Sequence, residues 1–134
     1  MLLGLYPATT PDEHAPDVEG FLAGEVAGRP TTVAVFVSER DGGGLNGFLE
    51  MSVRDYAEGC EGRTPHVESW FVDEDARGRG IGRALLAAAE AWAREHGYRE
   101  IASDTQLDNA TSERLHRAYG FEEVERAIHF RKAL

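Results

Sequence analysis

No stretch constrains this chain more than Asp75–Leu86, D-A-R-G-R-G-I-G-R-A-L-L. Gly78, Gly80 and Gly82 alternate with Arg77, Arg79 and Ile81, and a strong helix pattern follows at once. From Ile81 to His96, Leu85, Ala89 and Trp92 recur at helical spacing, and Gly97 is placed as the stop just past the end. Upstream, His66–Val72 (H-V-E-S-W-F-V) alternates as a strand does. Strand, glycine-rich turn and helix N-terminus together make an anion site. The first helical N–H groups have no internal partner, and the helix dipole favours negative charge beside them. Glycine lets the backbone approach an anion with no Cβ in the way. Arg77, Arg79 and Arg83 add positive charge at the same place. Counting removes two common phosphate loops. The pattern G-x-G-x-x-G needs glycine at 83 or 85, which are Arg83 and Leu85, and no Lys-Ser/Thr follows for a P-loop.

The remaining pattern gives an α+β domain. Thr10-Pro11-Asp12-Glu13 is a capping box with proline at the first helical position, which predicts a short helix interrupted by Pro16 and Gly20 and ending near Gly24. Thr31–Val37 and Leu45–Val53 predict a hairpin around S-E-R-D-G-G-G-L. D-Y-A-E-G-C-E-G-R-T-P reads as a polar loop. Tyr98–Ser103 predicts a strand, and Asp108 or Asn109 caps a helix running to about Tyr119 and stopped by Gly120. Phe121–Lys132 is rich in strand formers and lacks Gly, Pro and Asn, which predicts one long final strand. Short loops make the first three strands antiparallel, and the helical crossover makes the fourth parallel to the third. The expected architecture is a central mixed, mostly antiparallel sheet with flanking helices.

A chain of 134 residues fits a single domain spanning 1–134. It has no apolar run long enough for a transmembrane helix, and its start, M-L-L-G-L-Y-P, lacks the features of a signal peptide. A cytoplasmic location is therefore expected. Cys60 is the single cysteine, so no internal disulfide forms. His14, His66, His96 and His129 are too scattered to suggest a metal site. A net charge of −10 argues against nucleic-acid phosphates as partners and suits a cationic small molecule.

The segment Arg77-Gly78-Arg79-Gly80-Ile81-Gly82 resembles the Q/R-x-x-G-x-G/A acyl-CoA signature of the GNAT N-acetyltransferases. The preceding strand and the later N-A-T-S-E-R-L-H helix, followed by R-A-Y-G-F, extend the match. The runs R-E-I-A-S-D-T-Q-L-D-N, L-H-R-A-Y-G-F-E-E-V-E-R, F-R-K-A-L and D-Y-A-E-G-C resemble one branch of the aminoglycoside 6′-N-acetyltransferases. So does L-Y-P followed by P-D-E-H, and the likeness runs from about Leu5 to Leu134. The resemblance implies a GNAT fold, with the family's usual first strand expected to be missing because four residues precede Leu5. It implies acetyl-CoA as cosubstrate, no metal, an aminoglycoside antibiotic as the polycationic acceptor, and a homodimer to which the final strand contributes. Two alternatives remain open here: acetylation of another cationic amine such as a polyamine or protein lysine, and a non-catalytic CoA-binding module.

The resemblance also implies roles. The CoA pyrophosphate lies on the backbone of Gly78 through Arg83, and pantetheine runs beside Trp70, Phe71 and Val72 and reaches Asn109. Glu68 and Asp104 are the candidate bases and also hold ammonium groups, since an amine must be neutral to attack. His116 stands where many relatives carry a tyrosine, as an acid for the leaving thiolate or as a packing residue near sulfur. Tyr6, Asp12, Glu13, Tyr56 and Glu58 fall in segments flanking the family's acceptor cleft, with rings to stack on sugars and carboxylates to pair with ammonium groups.

Overall fold

The computed structural model describes residues 31–134. The expected helix from Thr10, the question of a first strand, and Tyr6, Asp12 and Glu13 lie outside the described residues. Among the described residues, three antiparallel strands come first: β1 (Thr32–Glu39), β2 (Leu45–Arg54) and β3 (Thr64–Val72). Helix α1 (Ile81–Glu95) crosses over to β4 (Ala102–Ser103), which pairs parallel with β3, and α2 (Ala110–Ala118) follows. The sheet order is β1-β2-β3-β4. This is the mixed sheet expected from the sequence.

The core forms where α1 lies on one face of the sheet. Leu49, Met51 and Val67 meet Leu85, Leu86 and Ala89, and Trp70, Val72 and Trp92 close the sides. Burying each large side chain contributes about 1.5–3 kcal/mol. Gly47 lets the start of α1 come this close. A Cβ there would stand 3.1 Å from the Phe71 carbonyl and 3.2 Å from both Ile81 and Leu85. The small residue thus fixes where the helix N-terminus sits over the sheet.

Simple alternation fails along β3. Ser69 opposes Glu50 while Val67 opposes Met51, so Glu68 is an extra, bulged residue. The bulge changes the phase, and Val67 and Trp70, three positions apart, both face α1. It also re-aims Glu68 toward Ser52 and Arg54 on β2.

Two expected strands differ. The strand predicted from Tyr98 is confined to Ala102–Ser103. Gly97 takes a left-handed φ of 82°, and the Tyr98 N–H still bonds back to Ala93, so the chain is leaving α1 where the strand was expected to begin. The long strand predicted over Phe121–Lys132 does not form within the described residues, where no strand is assigned past α2. Strand propensity cannot supply a ladder partner. Val124 instead packs over Gly59, and Arg117 and Arg126 tie Glu123 to α2 through Glu113. Beyond that, Ile128 and Phe130 are exposed.

Candidate active site

The glycine-rich turn is built as the sequence suggests. Gly78 and Gly80 have φ of 78° and 82°, the left-handed region that a side chain disfavours. A Cβ on either would meet nothing within 4 Å among the described residues, so their need is conformational. Gly80 is the N-cap of α1, with no side chain capping it. Its carbonyl accepts the Ala84 N–H, which leaves the N–H groups of Ile81, Gly82 and Arg83 pointing out of the helix end. Arg79 and Arg83 are exposed beside them, with Arg83 over the Tyr119 ring. Arg77 turns back, and its Nε–H donates to the Val72 carbonyl at 2.9 Å. Arg40, from the β1–β2 turn, clamps Asp73 at 2.7 Å and Asp75 at 2.8 and 3.0 Å, which anchors the approach to the turn.

From this cradle the edge of β3 leads to a splayed junction. β3 pairs with β4 only at His66–Ala102 and Val67–Ser103. Asp104 is next in register and would oppose Glu68, but pairing stops there. The bulge and the splay begin at the same residue. From Glu68 to Val72 the edge of β3 has no strand partner on the β4 side among the described residues. Trp70, Phe71 and Val72 lie along it, so an extended ligand chain can pair there as an added strand.

The groups at the junction form one cluster. Ser52 Oγ–H donates to Glu68 Oε1 at 2.5 Å, Arg54 Nε–H donates to Oε1 at 2.9 Å, and Arg54 Nη2–H donates to Oε2 at 2.7 Å. Burial pushes the Glu68 carboxyl up, but His66, Arg54 and Ser52 together outweigh it and hold the group well below the usual carboxylate range. His66 Nδ1 is 3.4 Å from Glu68, and its Nε2 is 3.6 Å from Asp104. The two carboxylates expected to share a cleft are thus joined through a buried imidazole. Asp104 is 77% exposed and forms the mouth.

His116 is wedged between α2 and β4. Its Nδ1 meets the Ser112 carbonyl at 2.8 Å, which requires an Nδ1–H, and its Nε2 meets the Ser103 hydroxyl at 2.8 Å. Its ring stands edge-on to Trp70 and beside Phe121. Asn109 caps α2 by accepting the Ser112 N–H at 3.1 Å. Tyr56 and Glu58 are exposed in the β2–β3 loop, and Glu58 adds its charge to the field around Arg54.

A model of the acetyltransferase (GNAT) family matches residues 3–121. The chain belongs to the GNAT acetyltransferase family. Among its relatives, the aminoglycoside N(6′)-acetyltransferase type 1 of Klebsiella aerogenes is 47% identical over 131 residues, covering 97% of this chain and 84% of that enzyme. The enzyme of the same name from Stenotrophomonas maltophilia is 44% identical over 103 residues, covering 75% and 67%. The structure of AAC(6′)-Iy in complex with the bisubstrate analogue CoA-S-monomethyl-acetylneamine has a TM-score of 0.84 at 35% identity, covering 100% of this chain and 88% of that one.

In this GNAT acetyltransferase the donor-side residues expected from the sequence, Trp70–Val72 and Gly78–Arg83, fall on one continuous path. Glu68 and Asp104 converge as expected. Ser52, Arg54, Ser103 and His66 were missed. Ser52, Arg54 and Ser103 carry no motif of their own, and only strand register brings them together. In the sequence His66 reads only as one of four histidines too scattered to suggest a metal site. Its position two residues before Glu68 on a strand was the available signal, since i and i+2 share a face.

Proposed function

We propose that this chain transfers an acetyl group from acetyl-CoA to the 6′-amine of an aminoglycoside, by direct attack of the amine on the thioester. The observation that carries the reading is the splay of β3 and β4 at Glu68, which joins the anion cradle to a carboxylate-lined mouth. The diphosphate of CoA takes the free N–H groups at the start of α1, with Arg79 and Arg83 beside it. Pantetheine follows the open β3 edge past Trp70–Val72, and a backbone N–H of that edge polarises the thioester carbonyl. The family resemblance assigns Asn109, the N-cap of α2, to the same arm.

The acceptor enters over Asp104, which with Glu58 and Tyr56 gives the mouth negative charge and an aromatic face. An aminoglycoside offers several ammonium groups to those carboxylates, and the net charge of −10 favours its approach. A thiol of pKa about 8.5 makes thiolate a tolerable leaving group, so the transfer does not depend on a strong acid. His116 accepts a hydrogen bond from Ser103 and supports Trp70, and this favours its packing role. Consumption of acetyl-CoA fits a cytoplasmic location, and no helix among the described residues is long and apolar enough to cross a membrane. Exposed Ile128 and Phe130 in the C-terminal segment support a homodimer contact.

The test follows CoA thiol release with kanamycin, tobramycin, spermidine and a lysine peptide. Turnover confined to the aminoglycosides is expected. No aminoglycoside turnover, with acetyl-CoA still bound, rejects the reading.

A further inference from the structure

We infer that His66 is the general base that deprotonates the acceptor ammonium, with Glu68 as the carboxylate that orients it and Asp104 as the group that holds the ammonium. The inference rests on the acetyltransferase reading above.

Glu68 is poorly disposed to take a proton itself. Its two oxygens already accept three hydrogen bonds from Ser52 and Arg54. A carboxylate fixed in this way is a strong electrostatic anchor and a weak base. Asp104, 77% exposed at the mouth, is placed to pair with an ammonium group arriving from solvent. Between them sits His66, only 4% exposed. Its Nδ1 is buried without a hydrogen-bond partner, although Glu68 Oε1 stands 3.4 Å away. Its Nε2 points toward Asp104 at 3.6 Å. A buried carboxylate behind one ring nitrogen and the exposed Asp104 carboxylate before the other is the carboxylate–imidazole arrangement that readies a base. The charged groups facing the ring are Glu68 on β3, Arg54 on β2 acting through Glu68, and Asp104 past β4.

The step balances. Asp104 holds the ammonium so that one N–H faces Nε2. That N–H bond breaks, its electron pair stays on the amine nitrogen, and an Nε2–H bond forms. The positive charge on the ring then lies beside Glu68, which closes the Nδ1–Oε1 gap into a charge-assisted bond. The freed pair attacks the thioester carbon, and the carbonyl π pair moves to oxygen. It returns as the C–S bond breaks and its pair leaves on sulfur. The nitrogen's surplus proton passes to the thiolate, and His66 releases its proton to solvent past Asp104. Ammonium and thioester become amide, thiol and one proton.

The test compares wild type with His66→Gln, using kanamycin and acetyl-CoA. The substitution is expected to lower kcat/KM for kanamycin by about 100- to 10,000-fold. Acetyl-CoA KM stays unchanged, and the ionisation on the acid side of the kcat/KM profile disappears. Wild-type activity with a variant within threefold of it, or a weaker variant that keeps the acid limb, overturns the role of His66 and leaves the acetyltransferase reading standing. A wild type inactive on every aminoglycoside overturns both. Should His66→Gln not fold, nitrogen NMR of the wild-type ring decides. Neutral His66 protonated at Nδ1 is expected, and protonation at Nε2 overturns the inference.

Discussion

Arg54 grips Glu68 through both carboxylate oxygens, with Nε on Oε1 at 2.9 Å and Nη2 on Oε2 at 2.7 Å. The pair joins β2 to the bulge on β3, beside the junction where β4 departs. Because Glu68 is largely buried, loss of the guanidinium leaves a charge with no cation against it. Arg54→Met is expected to destabilise the fold by about 2–3 kcal/mol, less than for a fully buried pair because Arg54 is partly solvated. Denaturant melts at neutral pH check this.

The same pair sets a pH dependence. The Glu68 carboxyl titrates lower folded than unfolded. Its stabilisation is therefore complete above the ordinary carboxylate value of about 4.3, and is lost as pH falls through the folded value. Acid unfolding of Arg54→Met should begin at higher pH than in wild type. Superimposable acid transitions would contradict the ion pair's role.

Gly80 and Gly97 share a φ of 82°, at opposite ends of α1. Alanine at either costs about 1–2 kcal/mol through the left-handed backbone. Only Gly80 belongs to the anion cradle. Gly80→Ala should weaken acetyl-CoA binding about tenfold, whereas Gly97→Ala should lose stability alone. Calorimetric titration with CoA beside thermal melts separates the two effects.

Arg40 reaches Asp73 and Asp75 from the far end of the β1–β2 hairpin. Its removal frees the approach to the cradle and leaves the acceptor side alone. Arg40→Ala is expected to raise the KM for acetyl-CoA a few-fold, with kcat and the aminoglycoside KM unchanged. Added salt should produce part of the same change in wild type, since the pair is exposed.

His116 has both ring nitrogens engaged, by the Ser112 carbonyl and the Ser103 hydroxyl. His116→Ala removes two hydrogen bonds and the packing against Trp70 and Phe121, at a cost of about 1–3 kcal/mol. Reduced thermal stability with only a modest loss of kcat is expected. A large loss of kcat in a fully folded variant would return His116 to the role of acid.

Local rules carried much of this fold. The strand propensity of Thr32–Glu39, the stripe Leu85–Ala89–Trp92 and the stops at Gly97 and Gly120 all act within a few residues, and they stood in the sequence. The cradle was legible for the same reason, since helix N-terminus and glycines are contiguous. The Glu68 bulge was not, because it depends on how β3 registers against β2. Phe121–Lys132 misled because β-propensity describes a suitable surface and does not provide a partner strand. His66 shows the third limit. Its role comes from being two residues before Glu68 and across from β4, and only the second of those requires the fold.

The central claim is acetyl transfer to one particular amine, and a matched pair of acceptors tests it most directly. Neomycin and paromomycin differ only in an amine or a hydroxyl at the 6′ position. Mass spectrometry after incubation with acetyl-CoA should show one acetyl group on neomycin and none on paromomycin. Equal acetylation of both would contradict the 6′ assignment, and failure with both while CoA binds would contradict the acetyltransferase account itself.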